Sequence, residues 1–312
     1  MNKQRRRLFI GLAFLLPNLL GFLIFTAGPV AFSFGAAFTN WDLQGSPVRF
    51  IGFDNFVNMA TDNGFWLYLV NTFYFLIGIP LSIVGSLAVA LLLDSKIRGI
   101  VVYRTLLYLP SVTSGVAVMI LWKALYNPDF GPINRFIESV FGVQGPNWLL
   151  STQNLAALGV EKVGFVPMQF GFGAREAILI MGIWGALGGG NTLLYLAALG
   201  NVPSELTEAA ELDGANRWKV FRNVTWPQLA PTTFFILVMS FIGGLQGGFE
   251  QARVMTGGGP AGTTTTIAYY IYNKAFVELQ MGFASAVSLV LFALIFAITL
   301  LNWKFGNRET TY

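Results

Sequence analysis

The sequence lacks both cysteine and histidine, and only 11% of its 312 residues are charged. Without cysteine, the chain has neither disulfide bonds nor a thiolate that could bind a metal or attack a substrate. Without histidine, it lacks the usual general base, the Ser-His-Asp triad and the commonest metal ligand. We therefore predict no catalytic residue, no metal site and no cofactor bound by this chain. A membrane enzyme that uses carboxylates alone is the enzymatic class that these absences leave open.

The sequence also lacks a site for ATP. A phosphate-binding loop follows the pattern G-x-x-x-x-G-K-[ST], in which the lysine contacts the phosphates. The nearest stretch, "GGGPAGT", has Gly257 and Gly262 at that spacing but Thr263 where the lysine must be. Either energy from ATP is supplied by another polypeptide, or the protein is not driven by ATP.

Long apolar runs dominate what the sequence does contain. Hydrophobic residues make up 54% of the chain, and the mean hydropathy is +0.61. A helix of about 20 apolar residues crosses a bilayer. We therefore predict an all-α integral membrane protein with six transmembrane helices, at residues 8–38, 65–93, 101–126, 177–199, 229–249 and 283–303. The first run is longer than the apolar core of a signal peptide, so we expect an uncleaved anchor.

The positions of lysine and arginine predict how these helices are oriented. Short basic segments lie at the N-terminus, near residue 98, within residues 217–222 and near the C-terminus. Such segments stay on the cytoplasmic side of a membrane. We therefore expect both termini in the cytoplasm, and residues 203–227 in a cytoplasmic loop between the fourth and fifth helices.

That loop is polar where its surroundings are apolar, and it predicts a helix–turn–helix that we call the elbow (residues 203–227). Pro203 and Ser204 are signals for the start of a helix, and Gly214 is a signal for its end. A second short helix is expected from Asn216 to Asn223, ended by Pro227. Such an elbow is either a solvated loop with interfacial tryptophans or a rigid element that fits a groove on a soluble partner.

The elbow contains Glu208-Ala209-Ala210, then Gly214 after three residues and "VTWP" after nine more. This spacing resembles the EAA loop of binding-protein-dependent ABC importer permeases, and "EAAELDGANRWKVF" is similar to the form found in carbohydrate-importing members. The stretches "NTFYFLIGIPLSIVGSLAVALLL", "LPSVTSGVAVMILWKALYNPDFGPIN" and "VMTGGGPAGTTTTIAYYIYNKAF" also resemble parts of that family's sugar and glycerol-phosphate permeases. Residues 151–176 form an outer segment that is longer than is usual in the family.

The resemblance implies a chain organised as a first helix with its outer loop (residues 1–64), a five-helix permease core (65–305) and a cytoplasmic tail (306–312). It implies a multi-pass protein of a prokaryotic cytoplasmic membrane, surrounded by lipid. Its implied partners are a second permease subunit, favoured to be a different chain, two cytoplasmic ATPase subunits that bind ATP and Mg, and an extracytoplasmic solute-binding protein. No nucleic acid is expected. The residues implied to couple to the ATPase are Glu208, Ala209, Ala210, Asp213, Gly214 and Pro227.

A sugar-like solute needs uncharged hydrogen-bonding groups and aromatic faces along its path. Candidates for the pore are Asn71, Tyr74, Trp122, Trp184, Asn191, Ser240 and Gln246. Each of these side chains is equally able to hold neighbouring helices together. A self-sufficient secondary transporter or channel for a small polar solute is the alternative function, although the scarcity of charges near the centres of the spans disfavours it.

Overall fold

The structure is a computed structural model that describes residues 3–95, 98–155, 162–163, 166–167 and 169–306. From residue 307 onward, the expected cytoplasmic tail lies outside the described residues. So do residues 156–161, 164–165 and 168 of the long outer segment.

Helices make up the regular structure, as the sequence predicts. In chain order they are α1 (Lys3–Phe22), α2 (Gly28–Ala36), α3 (Asp54–Thr61), α4 (Asn63–Leu76), α5 (Gly78–Asp94), α6 (Ile100–Val112), α7 (Gly115–Leu125), α8 (Pro132–Phe141), α9 (Ala174–Leu187), α10 (Gly190–Gly200), α11 (Ser204–Leu212), α12 (Arg217–Val220), α13 (Trp226–Gln246), α14 (Phe249–Gln251), α15 (Ile267–Tyr272) and α16 (Met281–Gly306). The described strands are a two-residue antiparallel pair, β1 (Lys162–Val163) with β2 (Val166–Pro167).

Helical stretches long and apolar enough to cross a membrane occupy the places that the sequence predicts. Within the described residues, the continuous ones are Gly11–Ala36, Asn63–Asp94, Ala174–Gly200, Arg217–Gln246 and Met281–Asn302. A sixth crossing is available only if α6 and α7 are counted as one span.

The third predicted span, residues 101–126, is present as two helices rather than as one continuous helix. α6 and α7 meet at an angle of 98°, because Thr113 and Ser114 between them are extended, with ψ of 145° and 127°. Pro110 has no N–H to donate, and the hydroxyl of Thr113 bonds the carbonyl of Leu109 at 3.1 Å. Both features take hydrogen bonds away from the end of α6, which favours a break in the helix at this point.

The chain divides into two compact units, of which the first contains residues 1–62 and 271–293. Within this unit, hydrogen bonds to backbone carbonyls hold the loop that follows α2. The buried side chain of Asn55 donates to the carbonyls of Ala37 and Thr39, at 2.8 and 2.9 Å. The N–H of Gly282, at the start of α16, donates to the carbonyl of Trp41 at 2.8 Å.

The second unit contains residues 63–270 and 294–312, and its described part has two apolar clusters. One joins the end of α4 to α5, α10 and α13 through Leu76, Ile79, Ile83, Leu87, Ala90, Tyr195, Leu199, Leu229, Ile236 and Leu245. The other joins α7 and α9 to the segment that follows α14, through Met119, Trp122, Tyr126, Trp148, Ala177, Ile178, Met181 and Met255. These clusters fix the helices that line the cavity described below.

Because α6 packs closely against the end of α9, we predict that adding one methyl group at Gly188 lowers the stability of the protein. A Cβ atom added to Gly188 would lie 1.9 Å from the backbone oxygen of Leu107, whereas one added to Gly185 would meet no atom within 4 Å. We expect Gly188→Ala to destabilise the protein by about 1–3 kcal/mol, because a backbone atom cannot rotate away. Thermal unfolding in detergent should show a lower Tm for Gly188→Ala than for the control Gly185→Ala. Equal Tm values for the two variants would contradict the close approach.

Candidate functional site

A buried charged side chain lies at the start of α9. Arg175 is in the first turn of this helix and is only 1% exposed. Its Nε donates to the carbonyl of Thr263 at 2.8 Å, and its Nη2 donates to Oδ1 of Asn71 at 2.5 Å. A buried cation needs such partners, because desolvation of an unpaired charge costs several kcal/mol.

Asn71 extends these contacts to a loop that we call the threonine loop (residues 262–266). Its Nδ2 donates to the carbonyls of Gly262 and Thr265, each at 2.8 Å. On the next residue of α4, the hydroxyl of Thr72 accepts the N–H of Ile267 at 3.0 Å. One amide side chain thus joins α4, α9 and the threonine loop.

The carboxylate of Glu176 completes the group. Oε1 accepts the hydroxyl of Tyr74 at 2.6 Å and the N–H of Leu155 at 2.7 Å. Oε2 accepts the N–H of Gly173 at 3.0 Å, which satisfies a backbone donor at the start of α9. We call Asn71, Tyr74, Arg175 and Glu176, with their backbone partners, the Arg175 network.

Next to this network is a cavity of about 370 Å³, which we call the first cavity. Its walls come from α4, α5, α9, α10, α13 and the threonine loop, and it contains six glycines that leave room between the helices. Its polar groups are uncharged: Ser82, Asn191, Ser240, Gln251, Thr264 and Thr266. Neutral donors and acceptors in an otherwise apolar cavity suit a solute rich in hydroxyl groups.

The predicted pore residues fall into three groups. Asn191 and Ser240 line the first cavity, and Asn71 and Tyr74 belong to the Arg175 network. The others lie elsewhere: Trp122 is buried against Trp184, with ring centroids 5.5 Å apart, and Gln246 is exposed at the end of α13.

Sequence reasoning missed Arg175 and Glu176 of the network and four of the polar residues that line the first cavity. Arg175 and Glu176 were assigned to the outer segment because the apolar run begins at Ala177. An available signal was the adjacent Arg-Glu pair after "GFG", because a charged pair directly before an apolar helix must find partners or stay in water. Ser82, Gln251, Thr264 and Thr266 carry no local pattern of their own.

At the opposite end of α9 and α10, the elbow forms as predicted in its first half. α11 ends in a left-handed glycine, Gly214, with φ of +81°. The N–H of Gly214 bonds the carbonyl of Glu211 at 3.0 Å, and that of Ala215 bonds Ala210 at 2.9 Å. This pair of bonds is the Schellman motif, which closes a helix end and favours glycine at this position.

The second half of the elbow differs from the prediction that Pro227 ends the helix. α12 begins at Arg217, capped by the side chain of Asn216, which accepts the N–H of Lys219 at 2.9 Å. The helix then widens into a π-turn (Phe221–Thr225) and continues into α13. A π-turn already leaves a carbonyl without its i+4 donor, so the missing N–H of Pro227 is tolerated in the first turn of α13.

The elbow carries exposed side chains of the kinds that bind partners. Leu212 is 89% exposed and Trp218 is 65% exposed. Of the residues predicted to couple to an ATPase, Ala210 is half-buried, and five are exposed: Glu208, Ala209, Asp213, Gly214 and Pro227. Five of these six residues lie together around the turn, at positions 208, 209, 210, 213 and 214, whereas Pro227 lies on α13.

Residues 59–305 match the family of binding-protein-dependent transport system inner membrane components. The chain belongs to this family. It is therefore a multi-pass membrane protein and a permease subunit of a binding-protein-dependent transporter. Its ABC-permease resemblance, inferred from the elbow and three further stretches, is confirmed.

Known ABC transporter permeases are similar to this chain over nearly its full length. The chain is 36% identical to the probable ABC transporter permease YesP of Bacillus subtilis (strain 168), over 97% of this chain and 92% of that protein. It is 29% identical to the sn-glycerol-3-phosphate transport system permease UgpA of Yersinia enterocolitica, over 95% and 94% of the two chains. Its fold matches a chain of a bacterial ABC transporter involved in the import of the acidic polysaccharide alginate. That match has a TM-score of 0.77 and 25% identity, and it covers 99% of each chain.

The Arg175 network predicts that replacing Asn71, an uncharged residue, strongly lowers the stability of the protein. Asn71→Leu removes three hydrogen bonds, one of them to the buried guanidinium, so we expect the free energy of unfolding to fall by about 3 kcal/mol or more. Asn191→Leu is the matched control, because Asn191 lines the first cavity and should change stability less. Thermal unfolding of the purified variants measures both, and a Tm of Asn71→Leu as high as that of Asn191→Leu would refute the proposed importance of the network.

Proposed function

We propose that this chain is the permease subunit of an ATP-driven importer for a sugar or sugar derivative in a prokaryotic cytoplasmic membrane. Both termini and the elbow lie in the cytoplasm, and the Arg175 network lies at the extracytoplasmic end of its helices. The distribution of lysine and arginine supports this orientation. The chain itself is non-catalytic and binds no cofactor.

The elbow is the observation that carries the coupling role. Its turn is fixed by the Schellman bonds at Gly214, and its surface presents Ala209, Leu212 and Trp218. A short, rigid helix with small and apolar side chains fits a groove on a partner. α12 continues without a loop into α13, which lines the first cavity at Ser240. A displacement of the elbow is therefore transmitted along one helical path to the cavity.

In this proposal, partner proteins supply the energy, deliver the solute and complete the transport pathway. Two cytoplasmic ATPase subunits bind ATP and Mg and hold the elbow. An extracytoplasmic solute-binding protein delivers the solute, in keeping with the description of the family. A second permease subunit, favoured to be a different chain, completes the pathway within the lipid.

The proposed solute class is supported by the first cavity and by the relatives. About 370 Å³ lies within the range of roughly 300–1,000 Å³ that small-molecule sites occupy. Its uncharged polar lining suits hydroxyl groups, and we propose that Asn191 and Ser240 contact the solute as it passes. Relatives named for alginate and for sn-glycerol-3-phosphate carry a polysaccharide and a sugar-like phosphate.

Replacing Gly214 should uncouple the transporter. Proline cannot adopt a φ of +81° and has no N–H for the carbonyl of Glu211, so Gly214→Pro should distort the turn. We expect the variant to insert normally and its affinity for the ATPase to fall about tenfold or more, which corresponds to ~1.4 kcal/mol. Co-purification of the ATPase and ATP-dependent uptake in proteoliposomes are the measurements.

Gly142→Pro is the matched control, because Gly142 also ends a helix with a positive φ, of 66°, and is exposed. It should keep the ATPase bound. Full ATPase binding by Gly214→Pro would count against the elbow as the coupling element. Uptake by the purified chain without any ATPase would favour the secondary transporter instead.

Filling the first cavity should block transport without loss of assembly. Ser240→Phe places a ring in the cavity and takes up part of the volume that the solute needs, so we expect uptake to fall about tenfold, an added barrier of ~1.4 kcal/mol. The ATPase should still co-purify, and Ser240→Ala should transport at close to the normal rate. Normal uptake by Ser240→Phe would show that the solute takes another route.

A further inference from the structure

A second cavity, of about 510 Å³, lies at the end of α7 and is lined by two positively charged residues. Lys123 comes from the last turn of α7, and Arg253 comes from the π-turn after α14 (Ala252–Thr256). Asn127 and Asn147, which carry amide side chains, also line this cavity. The volume is sufficient for a small-molecule ligand.

The second cavity adjoins the first cavity along one short segment. Gln251 and Ala252 line the first cavity, and the next residues, from Arg253 to Gly257, line the second. The hydroxyl of Thr256, in the second cavity, lies 2.6 Å from that of Thr264, in the first. A solute bound in the second cavity would therefore lie beside the entrance to the first.

The second cavity is lined by two cations, whereas the polar residues that line the first are uncharged. This difference in charge indicates the kind of ligand that the second cavity binds. No carboxylate is among the described residues that line either cavity. Two exposed cations that line one polar cavity attract an anionic group, and guanidinium N–H groups recognise carboxylate or phosphate oxygens directly. The guanidinium of Arg253 also lies 5.8 Å from the ring centroid of Phe249.

A purely structural role accounts for only part of this arrangement. Lys123 is favourable at the C-terminal end of α7 because of the helix dipole, and Arg253 gains from its aromatic contact. Neither effect requires the two side chains to line the same cavity, since each acts within its own segment.

We propose that the second cavity binds the anionic group of the solute, so that the transported class is an anionic carbohydrate carrying carboxylate or phosphate. The inference rests on the proposed importer function and narrows its solute. The charged group is recognised at Lys123 and Arg253, and the hydroxyl-bearing part then meets the neutral lining of the first cavity.

The test is ligand binding to the complete transporter in nanodiscs, measured by calorimetry with two matched pairs of probes. Digalacturonate is compared with neutral galactobiose, and sn-glycerol 3-phosphate with glycerol. We expect the charged member of at least one pair to bind about tenfold more tightly, in line with hydrogen bonds to charged groups. Lys123→Gln combined with Arg253→Gln should abolish that preference. The control Arg135→Gln, an exposed cation on α8 that is not among the residues lining either cavity, should keep it.

Equal affinity for both members of each pair, or an unchanged preference in the double variant, would overturn the inference. So would a double variant that keeps its anion affinity but loses affinity for the solute-binding protein, because the charges would then contact protein. ATP-dependent uptake by the unmodified transporter separates the two proposals. If uptake is ATP-driven but the anion preference is absent, only the inference fails; if no ATP-driven uptake occurs, the importer function itself fails.

Discussion

The burial of one guanidinium constrains one end of the helices of this permease. Arg175 is removed from water, so its charge must be met by oxygen atoms within the protein, and Asn71 and Thr263 supply them. Because Asn71 also binds two carbonyls of the threonine loop, the same contacts fix where α4, α9 and that loop lie. Thr264 and Thr266, which line the first cavity, are held in place as a consequence.

The opposite end of the same helices carries exposed side chains, among them Leu212 and Trp218. Gly214 closes α11 through backbone bonds, so the turn of the elbow is held by its own backbone. The π-turn at Phe221–Thr225 lets the helix pass through Pro227 into α13. A rigid elbow joined directly to a cavity-lining helix is the feature that makes mechanical coupling physically reasonable.

Sequence reasoning recovered the features that depend on local chemistry. Apolar length predicted the membrane helices, and Pro203 with Gly214 predicted the first helix of the elbow. It failed where distant residues decide the outcome: the bonds from Asn71 to Arg175 and to Thr265 join positions 104 and 194 residues apart. The bend between α6 and α7 and the continuation through Pro227 were missed for another reason. Apolar composition reports that a segment is helical, but hydrogen bonds at Thr113 and in the π-turn decide where it bends or continues.

The central claim is that the elbow faces the cytoplasm while the Arg175 network lies toward the other side. A natural sequence without cysteine allows this to be tested with single-cysteine variants and a membrane-impermeant maleimide. Ala209→Cys should react in inverted vesicles that lack the ATPase and stay unlabelled in intact spheroplasts, whereas Arg135→Cys should react in intact spheroplasts. Labelling of Ala209→Cys in intact spheroplasts would contradict the account.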